Sequence, residues 1–284
     1  MGYKDILVHL DNTSRSEIRL NVAIQLAARY DAHVAGLYLM DLPSLAMFMG
    51  DTSFYDMHMA DEIIQRGRDH ALTISHAVRG SFEEFLRKSS VKGEWRCVEG
   101  LAAETVAVHA RYADLAIVGQ RDPKYLALPG EFHVPETVIL DSGRPVLVIP
   151  CFGEVKPIGN TVLVGWKSGR EAARAINDAL PLLSHAKSVT VLAIDPQNGI
   201  SEEGAFPAAD ISLHLARHGI IATAAHTVSG GIAEGDILLN YVSDHGADLI
   251  VAGGYGHSRA REFVLGGATR SLLTAMTVPV LFSH

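Results

Sequence analysis

Cysteine is almost missing: Cys97 and Cys151 are the chain's two, far apart and in no Cys-x-x-Cys pattern. That count argues against a disulfide framework or a thiolate zinc site and fits a reducing compartment. Long apolar runs are missing too, with none near the roughly 18 residues that a membrane helix needs. No basic segment followed by an apolar core opens the chain, so a cytoplasmic protein with no membrane span is expected. Positive charge is scarce, 24 Lys and Arg against 32 Asp and Glu, a formal net charge of −8. A general nucleic-acid surface rewards clustered basic residues, and these are scattered. Motifs for catalysis are lacking as well: no GxSxG elbow, no Walker GxxxxGK[ST], no HExxH and no Cys/His dyad, so no catalytic residue is assigned. Of the fourteen histidines only His214 and His218 have helical HxxxH spacing, without a glutamate between them, and no metal ligand set follows. What remains is 48% hydrophobic and 20% charged, the balance of a folded protein with a sizeable core.

Apolar runs and helical stripes alternate along the chain. Residues 6–10 (ILVHL) read as a buried strand, closed by the turn and capping residues Asp11, Asn12, Thr13 and Ser14. A helix follows, with Ile18, Val22, Leu26 and Tyr30 on one stripe. Strands are expected at 33–40, 91–98, 115–118 and 145–149, and a helix at 102–112. Between the second and third strands lies an insertion of about 41–88. Its first part carries Met47, Met49, Met57 and Met59 and is broken by Pro43 and Gly50, and its second part, 61–88, is helical and charged.

The same order then starts again. Val162-Leu163-Val164 repeats Ile6-Leu7-Val8, Ala247-Asp248-Leu249 repeats Ala113-Asp114-Leu115, and Pro279-Val280-Leu281 repeats Pro145-Val146-Leu147. The first match is offset by 156 positions and the others by 134, which places the 22 extra residues of the first copy in the Met-rich insertion. Pro150, Gly153, Pro157 and Gly159 mark the boundary, giving domains 1–152 and 156–284. Strand-helix alternation implies an α/β architecture. Each half is expected as a doubly wound five-stranded parallel sheet, order 3-2-1-4-5, with helices on both faces.

The candidate site is the loop at 253–267. A strand at 249–252 ends at Gly253, Gly254 and Gly256, and a second pair, Gly266 and Gly267, opens a helix at Ala268 and Thr269. Strand, glycine loop and helix N-terminus together suggest phosphate binding through free backbone N–H groups. Trp166 and Lys167, at the end of the strand beginning the second half, meet that loop if the winding reverses there. Trp166 is placed to stack on a base or to fill space. Lys167 adds a positive charge near phosphates or removes an acceptor for adenine.

The opening ILVHLD, the two ADL strands, the closing PVL strands and the loop GGYGHSRAREFVLGG resemble the universal stress protein family in its tandem two-domain form. The resemblance implies an adenine nucleotide, ATP, ADP or AMP, with Mg²⁺ accompanying ATP. Nucleotide-binding members carry Gly, two residues, Gly, nine residues, Gly, then Ser or Thr. Gly253, Gly256 and Gly266 keep that spacing, Gly267 stands where the hydroxyl residue is expected, and Thr269 is the nearest substitute. The family's Asp after the first strand is matched by Asp11, but Lys167 takes its place in the second half. In the first loop Gly119 matches Gly253, while Asp122, Phe132 and His133 replace Gly256, Gly266 and Gly267, so the nucleotide is expected in the second half. The resemblance further implies a stress-response module with at most slow ATP hydrolysis and an unidentified protein partner. It also implies pairing of strands 145–149 and 278–282 in an intramolecular pseudo-dimer, with a homodimer of the chain beyond it. The alternatives are a scaffold that binds no nucleotide, and a small apolar ligand or lipid held under the Met-rich insertion.

Overall fold

The computed structural model describes residues 2–42, 57–123, 133–154, 157–194, 207–256 and 267–284. The chain divides into two compact units, which part between Arg144 and Pro145.

The first unit runs β1 (Asp5–Leu10), α1 (Ser14–Tyr30), β2 (His33–Met40), α2 (Met57–Ser89), β3 (Gly93–Glu99), α3 (Ala102–Ala110), β4 (Leu115–Gly119) and α4 (Val134–Asp141). Its strands lie in the order β3-β2-β1-β4, and each neighbouring pair runs parallel. Parallel neighbours need a crossover, and here the crossovers are helices, α1 packing on α2 and α3 on α4. With both faces covered, β1 and β4 are apolar without alternation: Ile6, Leu7, Val8, Leu115, Ala116 and Ile117 are all buried. Helix α1 buries Val22, Leu26 and Tyr30 of the expected stripe and leaves Ile18 half-buried. The helical part of the insertion is α2, 33 residues long. It is anchored by Phe82, whose buried ring packs on Trp95 of β3 at 5.5 Å, and Trp95 stacks in turn on Tyr38 of β2 at 6.2 Å. Met47 and Met49 lie outside the described residues.

The second unit, Pro145–His284, contains β5 (Val146–Ile149), β6 (Thr161–Trp166), α5 (Arg170–Leu183), β7 (Ser188–Ile194), α6 (Pro207–Arg217), β8 (Ala222–Thr227), α7 (Glu234–His245), β9 (Leu249–Gly253), α8 (Gly267–Ala275) and β10 (Val280–Ser283). Five strands run parallel in the order β8-β7-β6-β9-β10, the expected 3-2-1-4-5 winding. Strand β5, expected as the fifth strand of the first half, groups by its contacts with the second unit. The cause is its antiparallel ladder with β10, in which Val146, Leu147 and Val148 face Phe282, Leu281 and Val280. The two closing strands thus pair, and both are fully buried.

The repeated Asp of the two ADL segments has one job in both copies. Asp114 accepts the backbone N–H of Lys4 at 2.7 Å and of Asp5 at 3.1 Å. Asp248 accepts those of Gly159 at 2.7 Å and Thr161 at 3.0 Å. Each carboxylate pins the start of one strand to the strand beside it, β1 to β4 and β6 to β9, and satisfies N–H groups that would otherwise lack partners. No helix among the described residues is long and apolar enough to cross a membrane.

Candidate functional site

In the second unit the chain winds outward from β6 through β7 to β8 and then returns to β9 on the other side of β6. The carboxyl ends of the strands at this reversal open on a crevice. It encloses a cavity of about 180 Å³. Leu238 of α7 and Leu272 of α8, both buried, give it apolar walls. Trp166 and Lys167 line it from the end of β6, and Gly253 and Gly256 from the end of β9 and the loop after it. The first turn of α8 adds Gly267, Ala268 and Thr269. Gly266 lies outside the described residues, as do His257, Arg259 and Arg261. Gly254 does not line the cavity. Its N–H donates to Ser283 O at 2.8 Å, and its carbonyl accepts from His284 Nδ1 at 3.1 Å.

Local chemistry fixes this loop. A methyl group on Gly253 would stand 2.7 Å from the Ala172 backbone nitrogen, so only glycine lets the start of α5 lie against the end of β9. Tyr255 follows with φ of 58°, a left-handed conformation that costs a side-chain-bearing residue about 1–2 kcal/mol. Its N–H donates to Thr269 Oγ1 at 3.1 Å. Thr269, expected as the stand-in hydroxyl, therefore holds the loop's shape as well as lining the crevice. Among the described residues, an added methyl group on Gly256 would meet only Glu171 Oε2, at 3.6 Å.

Two ion pairs border the cavity. Lys167 Nζ lies 2.8 Å from Glu234 Oε1, the lysine exposed and the glutamate half-buried. Glu171, in the first turn of α5, is buried, and its Oε1 accepts from Arg170 Nε at 2.5 Å. Burial by itself would raise the Glu171 carboxyl, but the hydrogen bond from Arg170, its own backbone N–H and the charges of Arg170 and His284 hold it below the usual range. Trp166 keeps its indole Nε1 buried with no hydrogen-bond partner among the described residues. An orphaned donor of this kind costs about 1–3 kcal/mol until an acceptor reaches it. Glu171 and Glu234 were not singled out in the sequence, where each reads as an acidic residue in a helix's first turn.

The matching place in the first unit is filled. A methyl group on Gly119 would stand 2.5 Å from Arg19 Nη1. Arg19 is 3% exposed, donates from Nε to His9 O at 2.9 Å, and forms an ion pair with Asp11 Oδ2. The other Asp11 oxygen accepts from Thr13 N at 2.8 Å and Thr13 Oγ1 at 2.5 Å. Burial would raise the Asp11 carboxyl, but Arg19, His9 and the Thr13 bonds bring it below its ordinary value. Burial first, and then the Arg19 charge, push the His9 imidazole down to about 4 against the opposing pull of Asp11. Asp11 thus has its partners within the chain. At the 156-residue offset Arg19 corresponds to Ala175, which is buried and small. Phe132, expected to obstruct the first loop, lies outside the described residues, and the observed occupant is Arg19. Beside it, a cavity of about 250 Å³ lies between the start of α1 and α2, lined by Leu10, Asp11, Leu20, Ile74 and Val78 among others.

Residues 161–284 match the model of the universal stress protein family. No curated protein matches the chain. Among solved structures, a universal stress protein from Archaeoglobus fulgidus DSM 4304 is similar with a TM-score of 0.69 at 17% identity, covering 98% of this chain and 97% of that one. A functionally unknown protein from Pseudomonas aeruginosa PAO1 is similar with a TM-score of 0.62 at 13% identity, covering 99% and 92%. At these identities the likeness is one of fold.

Proposed function

The chain carries a universal stress protein domain over residues 161–284 and shares its fold with a member of that family along nearly its whole length, and from that premise we propose that it is a stress-response module binding an adenine nucleotide in the crevice of its second half. The observation that carries this reading is the cavity lined by Gly253, Gly256 and the first turn of α8 at the reversal of the winding. Backbone N–H groups at Gly267, Ala268 and Thr269 supply an anion site at a helix N-terminus. Leu238 and Leu272 offer apolar surface to a base, and Trp166 lines the same cavity. Lys167, held by Glu234, borders the same space. On this reading ATP, ADP or AMP is the ligand, 1–152 and 156–284 are the duplicated domains, and the protein works in the cytoplasm with a protein partner, as a pseudo-dimer or a homodimer of the chain.

Thermal melting tests it. A nucleotide at 100 times its dissociation constant adds about 2.7 kcal/mol of stability. Gly256→Val narrows the cavity and, among the described residues, meets only Glu171, so that variant is expected to melt like the parent alone and to gain nothing from nucleotide. A shift retained in Gly256→Val moves the site elsewhere, and no shift of the parent with ATP, ADP or AMP removes the reading. A second reading, a small apolar ligand in the first unit, has the cavity between α1 and α2 in its favour. Mass spectrometry of an organic extract of the purified protein separates the two.

A further inference from the structure

The charges bordering the second crevice are arranged in a way that bears on which ionic form of nucleotide it takes, and the inference rests on the nucleotide reading above. Among the described residues they come as two neutral pairs, Lys167 with Glu234 and Arg170 with Glu171. Neither cation is left over for a polyphosphate. Glu171 adds a sharper constraint. Its Oε1 is taken by Arg170, while Oε2 looks into the space beside the loop, 3.6 Å from a methyl group built on Gly256 and 3.4 Å from one built on Gly169. The side chain is 8% exposed, so water screens it poorly. A bare phosphate over Gly256 would face a carboxylate oxygen in a partly dry site, where like charges repel strongly. Divalent magnesium relieves such a meeting, because it accepts oxygen ligands from one or two carboxylates together with substrate phosphates. At the 156-residue offset the corresponding position in the first unit is Arg15.

We infer that Glu171 is a specificity-determining residue that makes the crevice take a polyphosphate as its divalent-cation complex and reject the metal-free form. The carboxylate faces the metal, and Arg170 keeps it in place.

Isothermal titration of the full chain with ATP, in excess Mg²⁺ and separately in EDTA, tests this against Glu171→Gln and Glu171→Asp. The parent is expected to lose at least about tenfold in affinity when the metal is removed. Glu171→Gln, nearly isosteric but uncharged, narrows the difference to about threefold or less, mainly by binding metal-free ATP more tightly. Glu171→Asp keeps the charge and keeps the metal dependence. Circular dichroism of each variant establishes that it folds, and Glu171→Ala replaces Glu171→Gln with the same expectation if that variant does not. Equal affinity of the parent with and without metal overturns the inference, as does an undiminished metal dependence in Glu171→Gln. Absence of binding by the parent to ATP, ADP and AMP under both conditions fails the nucleotide reading itself.

Discussion

The two crevices begin from one plan and end in opposite states. In the first unit an arginine from the helix after β1 reaches across, ties Asp11 and the carbonyl of His9 together, and occupies the space in front of Gly119. In the second unit the corresponding position is Ala175, the backbone of α5 comes up to Gly253 instead, and among the described residues a cavity lies beyond it. Duplication lets one copy satisfy its polar groups internally while the other leaves donors for something outside the chain. The first crevice is closed by an internal ion pair, and under the proposed function the second takes the nucleotide.

Breaking the first state should have the largest effect. Arg19→Leu leaves the half-buried Asp11 without its cation; loss of one partner of a buried pair costs about 3–5 kcal/mol, and the partial exposure of Asp11 puts this one at the lower end. Urea unfolding is expected to show that loss, and a change under about 1 kcal/mol would mean that the pair is peripheral to the unit's stability. A smaller effect comes from His9. Its imidazole is pushed from 6.5 to about 4, so the folded state holds it neutral where the unfolded chain protonates it. The unfolded state then binds more protons over that window, and its stability contribution, present above pH 6.5, is lost as the pH falls toward 4. The loss amounts to about 3 kcal/mol. Asp11, with its carboxyl held low, adds a further loss as the pH falls below the ordinary carboxylate range. Unfolding free energy measured from pH 7 down to 4 should therefore fall in the parent, and His9→Gln should flatten the slope.

Much of this comparison could be read in the sequence. Continuous apolar runs gave the parallel strands because both faces of each sheet are covered, and the ADL repeats revealed the duplication. Glycine spacing pointed to Gly253, Gly256 and Gly267, which line the cavity at the carboxyl end of β9. The role of Asp114 and Asp248 was hidden because each bonds backbone that lies 87 or more residues away in sequence. Arg19 was hidden by its charge: hydrophobic periodicity assigns an arginine to the solvent side of α1, and only a partner on β1 allows it to be 3% exposed. Glu171 reads as an ordinary acidic residue complementing a helix N-terminus, and nothing in its spacing announces that one oxygen faces the glycine loop. The ladder of β5 with β10 is the pairing that the family resemblance implied, and the four-residue apolar run by itself does not specify it.

Equilibrium titration of the full chain with ATP in excess Mg²⁺, read as moles bound per mole of chain, tests the difference between the two crevices most directly. One nucleotide per chain, falling to none in Gly256→Val, is the predicted result. Two per chain, or one that persists in Gly256→Val, would contradict it.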